Sequence, residues 1–436
     1  VTESDGTSVE RNWAGNLAYR AERVLHPTSV PDVVDAVLAT DGPVRFLGTR
    51  HSFNDLADTA GTLIATDRLP VHVDTSSGGA STVRVTGGLR YGDLAPILHA
   101  NGTALANLAS LPHISVAGAV ATGTHGSGDG IGSLASAVRS ISIVTPSAES
   151  LTLTRGTDRD FAGAVVSLGA LGLVTALELD VEPTYDVAQY VFEGPSWDAI
   201  LADLDAVTSL GTSVSIFTRW LDTGRADQLW VKQRVDPAAS DDGASDAAAR
   251  RDAVAARLGA RAATEARHPI IGLAADACTP QLGEPGPWFE RLPHFRLEFT
   301  PSAGAELQSE YLVPRSDAVA ALEAVRALAP RIAPVLQVCE VRTVRADDLW
   351  LSSAYERDVM GIHFTWKLDE PAVTAVLPVI EAALPETARP HWGKLFTLPA
   401  EEIRARYPRF DDFAALRARF DPDRRLVNPY LERIGL

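Results

Sequence analysis

Cysteine is nearly absent: Cys278 and Cys339 are the only two in 436 residues. Two cannot form a disulfide framework, and no C-x-x-C pair exists to hold zinc. Both read as buried small hydrophobes, and no metal site is expected. Basic residues are also in deficit, with 39 Lys and Arg against 56 Asp and Glu and a formal charge of −17. That balance argues against duplex nucleic acid as a partner, because phosphate contacts supply most of such affinity. It argues equally against a polybasic membrane anchor. Residues 1–11 lack the apolar core of a signal peptide, which points to a cytoplasmic protein. There is no G-x-G-x-x-G after a strand and no G-K-[ST], so the dinucleotide fingerprint and the P-loop are both missing. No repeat of solenoid period occurs.

The most local absence is of charge. From Leu94 to Gly128, 35 residues pass without one Asp, Glu, Lys or Arg. At 22% charged residues overall, about eight would be expected in such a window. Pro96, Pro112, Asn101, Asn107 and five glycines exclude a membrane span. Two readings remain: a buried small-residue core segment, or a surface that must approach a phosphate without like charge nearby.

What is present is an ordinary globular composition, 46% hydrophobic. At ~150 residues per domain the length suits about three units or two large ones. The first 185 residues alternate short strands with short helices. Strands are expected at Pro43 to Thr49, Ser81 to Thr86 and Leu173 to Asp180, with a helix at Tyr91 to Ala100. A hairpin is expected from Arg139 to Arg155 around Pro146-Ser147, and a short helix at Phe161 to Ser167. Beyond Pro183 longer strands appear, at Ser213 to Trp220, Gln228 to Arg234, Phe295 to Thr300, Glu306 to Leu312, Val335 to Val344 and Gly361 to Lys367. Helices near Ser316 to Ala329 and Pro371 to Leu384 complete an α+β unit around one large sheet. Asp236 to Arg267 is Ala-rich and charged, suited to a surface helix or, preferably, a poorly ordered surface segment. Phe410, Phe413, Phe420 and Tyr430 read as anchors of an Arg-rich tail.

Three constellations carry chemistry. Gly48-Thr49-Arg50-His51-Ser52-Phe53-Asn54 ends a strand in small and hydroxyl residues, which expose backbone N–H groups to phosphate oxygens; His51 adds a nucleophilic ring nitrogen. The bland alternative is an ordinary loop histidine. Ser110 to Gly128, inside the uncharged window, alternates Gly, Ala, Thr and Ser and lets backbone approach a pyrophosphate. Gly87-Gly88 and Gly169 to Ala176 fit the same cradle, whereas a flexible glycine loop is the plain reading. In the second half, Gln308 and Glu310, Glu340 and Arg342, and His363 and Thr365 each sit at i, i+2 and share one side of a strand. They are either the wet face of an antiparallel sheet or, with Lys394, a polar wall over a polyhydroxylated ligand.

Together these motifs resemble the alditol oxidases (xylitol or sorbitol oxidase type) of the vanillyl-alcohol-oxidase group of flavoproteins. The resemblance runs from about Asn12 to Tyr430. It rests on N-W-A-G-N at Asn12 to Asn16, H-S-F-N at His51 to Asn54, S-L-P-H-I-S-V-A-G at Ser110 to Gly118 and A-T-G-T-H-G-S-G at Ala121 to Gly128. Further matches are G-A-E-L-Q-S-E-Y from Gly304, C-E-V-R-T from Cys339, H-F-T-W from His363 and R-P-H-W-G-K from Arg389. The H-W-G-K element is shared with the wider sugar-lactone oxidases.

The resemblance implies a two-domain α+β flavoprotein, with an FAD-binding domain over 1–184, a substrate (cap) domain with a large antiparallel sheet over 185–398, and a segment 399–436 returning to the first. It implies FAD bonded covalently to His51, with cofactor contacts from Phe46, Leu47, Gly48, Thr49, Arg50, Ser52, Ser110, Ser115, Gly118, Ala119, Val120, Ala121 and Val174. It places substrate against Ser110, Glu340, Arg342, Thr365 and Lys394, supported by Gln308 and His363. The implied reaction is oxidation of a terminal alditol alcohol to the aldose, by hydride transfer to flavin N5, with O₂ reduced to H₂O₂. Arg342 and Lys394 would stabilise the alkoxide and Glu340 would orient Arg342. Polyol and O₂ are the partners implied, and the family suggests a monomer. Arg50 departs from the small residue of many relatives, and the insertion at 236–267 matches no motif. Rival readings are a sugar-lactone oxidase or dehydrogenase and a colourless, non-enzymatic polyol-binding protein.

Overall fold

The computed structural model describes residues 2–3, 10–75, 81–235, 241–299 and 306–436. Three sheets organise the chain. Residues Arg23–His26, Thr62–Ala65 and Val44–Leu47 run parallel, with Thr2–Glu3 added antiparallel at one edge. Five antiparallel strands follow, in the order Val73–Asp74, Thr82–Thr86, Leu173–Asp180, Val138–Val144 and Ser150–Thr154. The third sheet has nine antiparallel strands drawn from residues 186–390, with Gln228–Val235, Ser213–Thr218, Leu336–Val344, Val359–Lys367 and Glu306–Pro314 adjacent in that order.

Period-two alternation explains the centre of the large sheet. In Val359–Lys367, Met360, Ile362, Phe364 and Trp366 are fully buried on one face against the helices Ala318–Ala327 and Glu370–Ala383. Each such side chain contributes about 1.5–3 kcal/mol by leaving water. His363 and Thr365 occupy the other face. Register aligns the polar residues across strands: Glu310 and Glu340 both lie opposite His363, and Gln308 lies opposite Thr365.

The tail packs back on the first half. Phe410, Phe413 and Tyr430 are buried in the same core as Leu94, Ile141 and Phe161, and Phe420 packs against it. Val44 N donates to Arg425 O at 2.8 Å. Among the described residues no helix is long and apolar enough to cross a membrane.

Two expectations from the sequence are corrected. The insertion carries a helix, Asp241–Arg257, and the strand Arg261–Ala262, rather than a poorly ordered segment; Asp236 to Ser240 lie outside the described residues. Alanine supplies the helix propensity, while buried Arg251 and Ala255 give it a narrow inner stripe. Phe295 to Thr300 forms no strand. Only Phe295 bridges to Cys278, Phe299 N turns back to Arg296 O, and Thr300 lies outside the described residues. Gly304 and Ala305 of the first cap motif also lie outside them.

Candidate active site

One cavity of about 300 Å³ is walled on one side by the first half of the chain and on the other by the large sheet. Phe46, Leu47, Gly48, Thr49, Arg50, His51, Ser52, Ser110, Ser115, Gly118, Ala119, Ala121 and Val174 line the first wall. Val120 does not: at 1% exposure it is buried in the core. Close backbone approach explains the glycines. A Cβ on Gly48 would stand 2.6 Å from Ser115 Oγ, and one on Gly118 2.8 Å from it. Ser115 N donates to Thr49 Oγ1 at 3.0 Å, which locks the His51 turn to the uncharged window. Arg50 adopts a left-handed φ of 64° and pairs with Glu10 at 3.0 Å.

Buried Arg45 ties this wall together. Its guanidinium donates to the carbonyls of Leu56, Leu168, Gly169 and Leu426, joining the His51 turn, the Gly169 loop and the tail.

This wall fits FAD on three counts. The N–H groups of Thr49, Arg50, His51 and Ser52 have no protein acceptor among the described residues, which is the donor set a diphosphate requires. The carboxylates on the cavity wall, Glu306, Glu310 and Glu340, all come from the second half, so none from the first half repels an anion. Burial and neighbouring His113 push His51 down to about 4, leaving a neutral imidazole, stacked on Trp13 with centroids 5.2 Å apart. The uncharged window is therefore a cavity wall as well as core, with residues from Ala109 to His125 facing the space.

The second wall gathers Gln308, Glu340, Arg342, His363, Thr365 and Lys394. At its centre is Glu310, which the polar-wall reading of the strands included and the substrate contacts implied by the resemblance did not. Glu310 Oε2 accepts from Lys394 Nζ at 2.5 Å and Oε1 from Arg342 Nη2 at 3.0 Å, and His125 Nε2 lies 3.2 Å from Oε1. Gly361 makes the convergence possible, since a Cβ there would lie 3.0 Å from Glu310 Oε1. Burial pushes the Glu310 carboxyl up, but Lys394, His125 and Arg342 outweigh it and hold it well below its ordinary value. Glu340 behaves alike: burial raises it, and Arg342 with His294 outweighs burial and brings it below its ordinary value. Lys394 and Arg342 thus pair directly with Glu310, and Arg342 lies beside Glu340 as well, which offsets much of the cost of burying these charges.

The protons can be placed. Lys394 Nζ also lies 2.6 Å from His363 Nδ1, and His363 Nε2 lies 3.1 Å from Thr365 Oγ1. Burial and Lys394 push His363 down to about 4, so the ring is neutral. It accepts from Lys394 at Nδ1 and donates from Nε2 to Thr365, whose own hydrogen is left for the cavity. Arg342 Nη1 donates to Ser110 Oγ at 3.3 Å and so joins the walls. The turn bearing Lys394 is held from both: Asn54 Nδ2 donates to Trp392 O and Lys394 O, and Leu395 N donates to Gln308 O.

The polar-wall reading of the strands included Glu310 through its i, i+2 pairing with Gln308, although the substrate contacts implied by the resemblance did not. His125 and His294 were missed as site residues, since each meets its carboxylate only through tertiary packing.

Comparison with known proteins fits this geometry. Residues 21–154 match the FAD binding domain family and residues 305–434 the D-arabinono-1,4-lactone oxidase family. An alditol oxidase of Streptomyces sp. is 47% identical over 96% of this chain and 97% of its own. The L-gulono-1,4-lactone dehydrogenase of Mycobacterium tuberculosis is 28% identical over 97% and 98%. A solved solvent-stable cholesterol oxidase, 16% identical, is similar in fold with a TM-score of 0.74 over 98% of this chain and 97% of its own. The fold, the family matches and the alditol oxidase relative together define a two-domain FAD-dependent oxidoreductase. More narrowly, the chain belongs to the alditol oxidase family of vanillyl-alcohol-oxidase-type flavoproteins.

Proposed function

We propose that the protein oxidises the terminal primary alcohol of alditols such as xylitol and sorbitol to the aldose, with O₂ reduced to H₂O₂. The balance is RCH₂OH + O₂ → RCHO + H₂O₂. The observation that carries this reading is the ion-paired wall of Glu310, Glu340, Arg342, His363, Thr365 and Lys394 facing a wall free of carboxylates. FAD would be held by the residues around His51, Ser115 and Gly118, with the neutral His51 ring as its point of covalent attachment, and would supply the two-electron acceptor for the hydride of the alcohol carbon.

The chain's own residues bind and orient the alcohol. Lys394 Nζ, with two hydrogens committed to Glu310 and His363, keeps a third for the substrate oxygen. Arg342, fixed by Glu310 and Ser110, adds positive charge beside that oxygen, where preorganised cations help most as negative charge develops. Thr365 and Ser110 donate to hydroxyls, and Glu340 accepts from them. A site with this many polar groups rejects an alcohol lacking hydroxyls, since the groups are then left buried and unpaired.

Oxidation of a sugar lactone is the second reading, favoured by the match of residues 305–434 and by the lactone dehydrogenase relative. Peroxide release across a panel separates them. Xylitol and sorbitol are expected to exceed 1-butanol by at least ~10²-fold in kcat/KM and to exceed L-gulono-1,4-lactone. Equal values for butanol and xylitol would refute the alditol reading, and a lactone preference would replace it.

A further inference from the structure

Behind Glu340, on the side away from Arg342, lies a chain of buried polar groups that the reaction as described does not use. His294 Nε2 lies 2.8 Å from Glu340 Oε1. Its other ring nitrogen, Nδ1, lies 3.0 Å from Lys232 Nζ. Lys232 is 1% exposed, and its ammonium also reaches Leu292 O at 2.6 Å and Pro293 O at 3.2 Å.

Three acceptors meet three N–H hydrogens, so the ammonium is saturated, and it donates to Nδ1. The ring, pushed down to about 4 by burial and by Lys232, is neutral. Its one proton must then sit on Nε2 and point at Glu340. Phe217 and Trp230 pack edge-on against the ring, with centroids 5.5 and 5.2 Å away, and resist its rotation. The same residue backs the opposite wall, because His294 N donates to Ser110 O at 3.1 Å.

We propose that Lys232 and His294 are positioning residues for substrate recognition: Lys232 fixes the His294 tautomer, and the Nε2–H holds Glu340 as an ionised acceptor aimed at the hydroxyls along the substrate chain. The inference rests on the reading of Glu340 as a hydroxyl-binding group. It differs from the catalytic assignment of Lys394 and Arg342 in acting on the substrate's interior hydroxyls, not on the oxygen being oxidised. The relay therefore governs KM for long polyols more than kcat, and matters little for a substrate without interior hydroxyls.

The test uses yellow holoenzyme at pH 6, below the value of about 7 to which burial lowers Lys232, with xylitol and 1,3-propanediol, whose hydroxyls are both terminal, as probes and peroxide release as the readout. Lys232→Met and His294→Leu are expected to raise KM for xylitol about tenfold, the worth of one oriented charge-assisted hydrogen bond. KM for the diol changes little, so the ratio of kcat/KM between the two falls about tenfold. His294→Gln can accept from Lys232 and donate to Glu340, and it restores most of that ratio. A ratio equal to wild type in Lys232→Met and His294→Leu, or an equal loss in the Leu and Gln variants, overturns the relay. Should Lys232→Met fail to fold, the Leu and Gln pair decides alone. Wild-type enzyme that does not prefer xylitol overturns the alditol reading instead. The relay then stands or falls on ¹⁵N spectra of histidine-labelled holoenzyme, with the His294 signal identified by its loss in His294→Gln. A neutral Nε2–H ring supports the relay, and an Nδ1–H or cationic ring overturns it.

Discussion

Glu310 illustrates how a residue with no direct claim on substrate can govern those that have one. It is 1% exposed and receives both cations of the site. Removing its charge leaves Lys394 and Arg342 facing each other in low dielectric, so Glu310→Gln should destabilise the protein by about 3–5 kcal/mol at pH 7. The sign with pH follows from its lowered folded value. The stabilisation is complete above its ordinary value of 4.5 and is lost as pH falls through the folded value beneath it. Thermal melts of both forms should differ most at neutral pH and converge in acid; a constant gap would remove Glu310 from the charge balance. Lys394→Met is a different experiment, because Glu310 keeps Arg342 and His125 beside its other oxygen. The protein should stay folded and yellow while kcat for xylitol falls by about 10²–10³-fold, the range for one transition-state donor. Unchanged turnover would take Lys394 out of the chemistry.

At the scale of elements, what the sequence disclosed depended on whether polar and apolar residues alternate along a strand, even where both faces are buried. Gln308, Glu340, Arg342, His363 and Thr365 were legible because alternation separates them from apolar partners such as Phe364 and Trp366. The hairpin Val138–Val144 and Ser150–Thr154 was legible from its turn. Asp186–Glu193 was not, since Val187, Ala188, Val191, Phe192 and even Gln189 are buried and no alternation survives. Phe295 to Thr300 shows the opposite failure, an alternating string whose Arg296 Nε instead donates to Cys278 O in a loop. Meetings such as Glu310 with His125 required the assembled sheets. Element packing also sets a demand at Gly87, where the strand Thr82–Thr86 ends between Val174 and Ala117. A Cβ there would stand 2.4 Å from Val174 O, a backbone atom that cannot rotate away. Gly87→Ala should therefore cost about 1–3 kcal/mol and, by displacing Val174 on the cavity wall, weaken retention of FAD. A melt and an absorbance ratio taken on the same preparation check both effects, and a variant matching wild type in each would show that the strands can part at no cost.

The whole molecule divides its charge. A chain with a formal charge of −17 places no first-half carboxylate on the wall where a diphosphate would lie, and keeps Glu310 and Glu340 across the cavity with cations beside them. The 35 uncharged residues, first met as a gap in composition, supply part of that wall. Because the walls come from opposite halves of the chain, joined directly by Arg342 to Ser110 and by Asn54 to Trp392 and Lys394, FAD bound between them should act as a third joint. His51→Ala isolates that contribution. Flavin should then leave on acid precipitation, whereas the covalent link proposed at His51 should keep it on the wild-type protein. The stripped variant should melt lower, and titrating FAD back should raise its Tm progressively, with about 2.7 kcal/mol of stabilisation at one hundred times Kd. If FAD neither restores colour nor raises the melting temperature, His51→Ala has lost the cofactor site itself and not the covalent link alone. A Tm that rises with FAD shows that the cofactor binds the folded chain in preference to the unfolded one, with the uncharged window leaving room for its diphosphate.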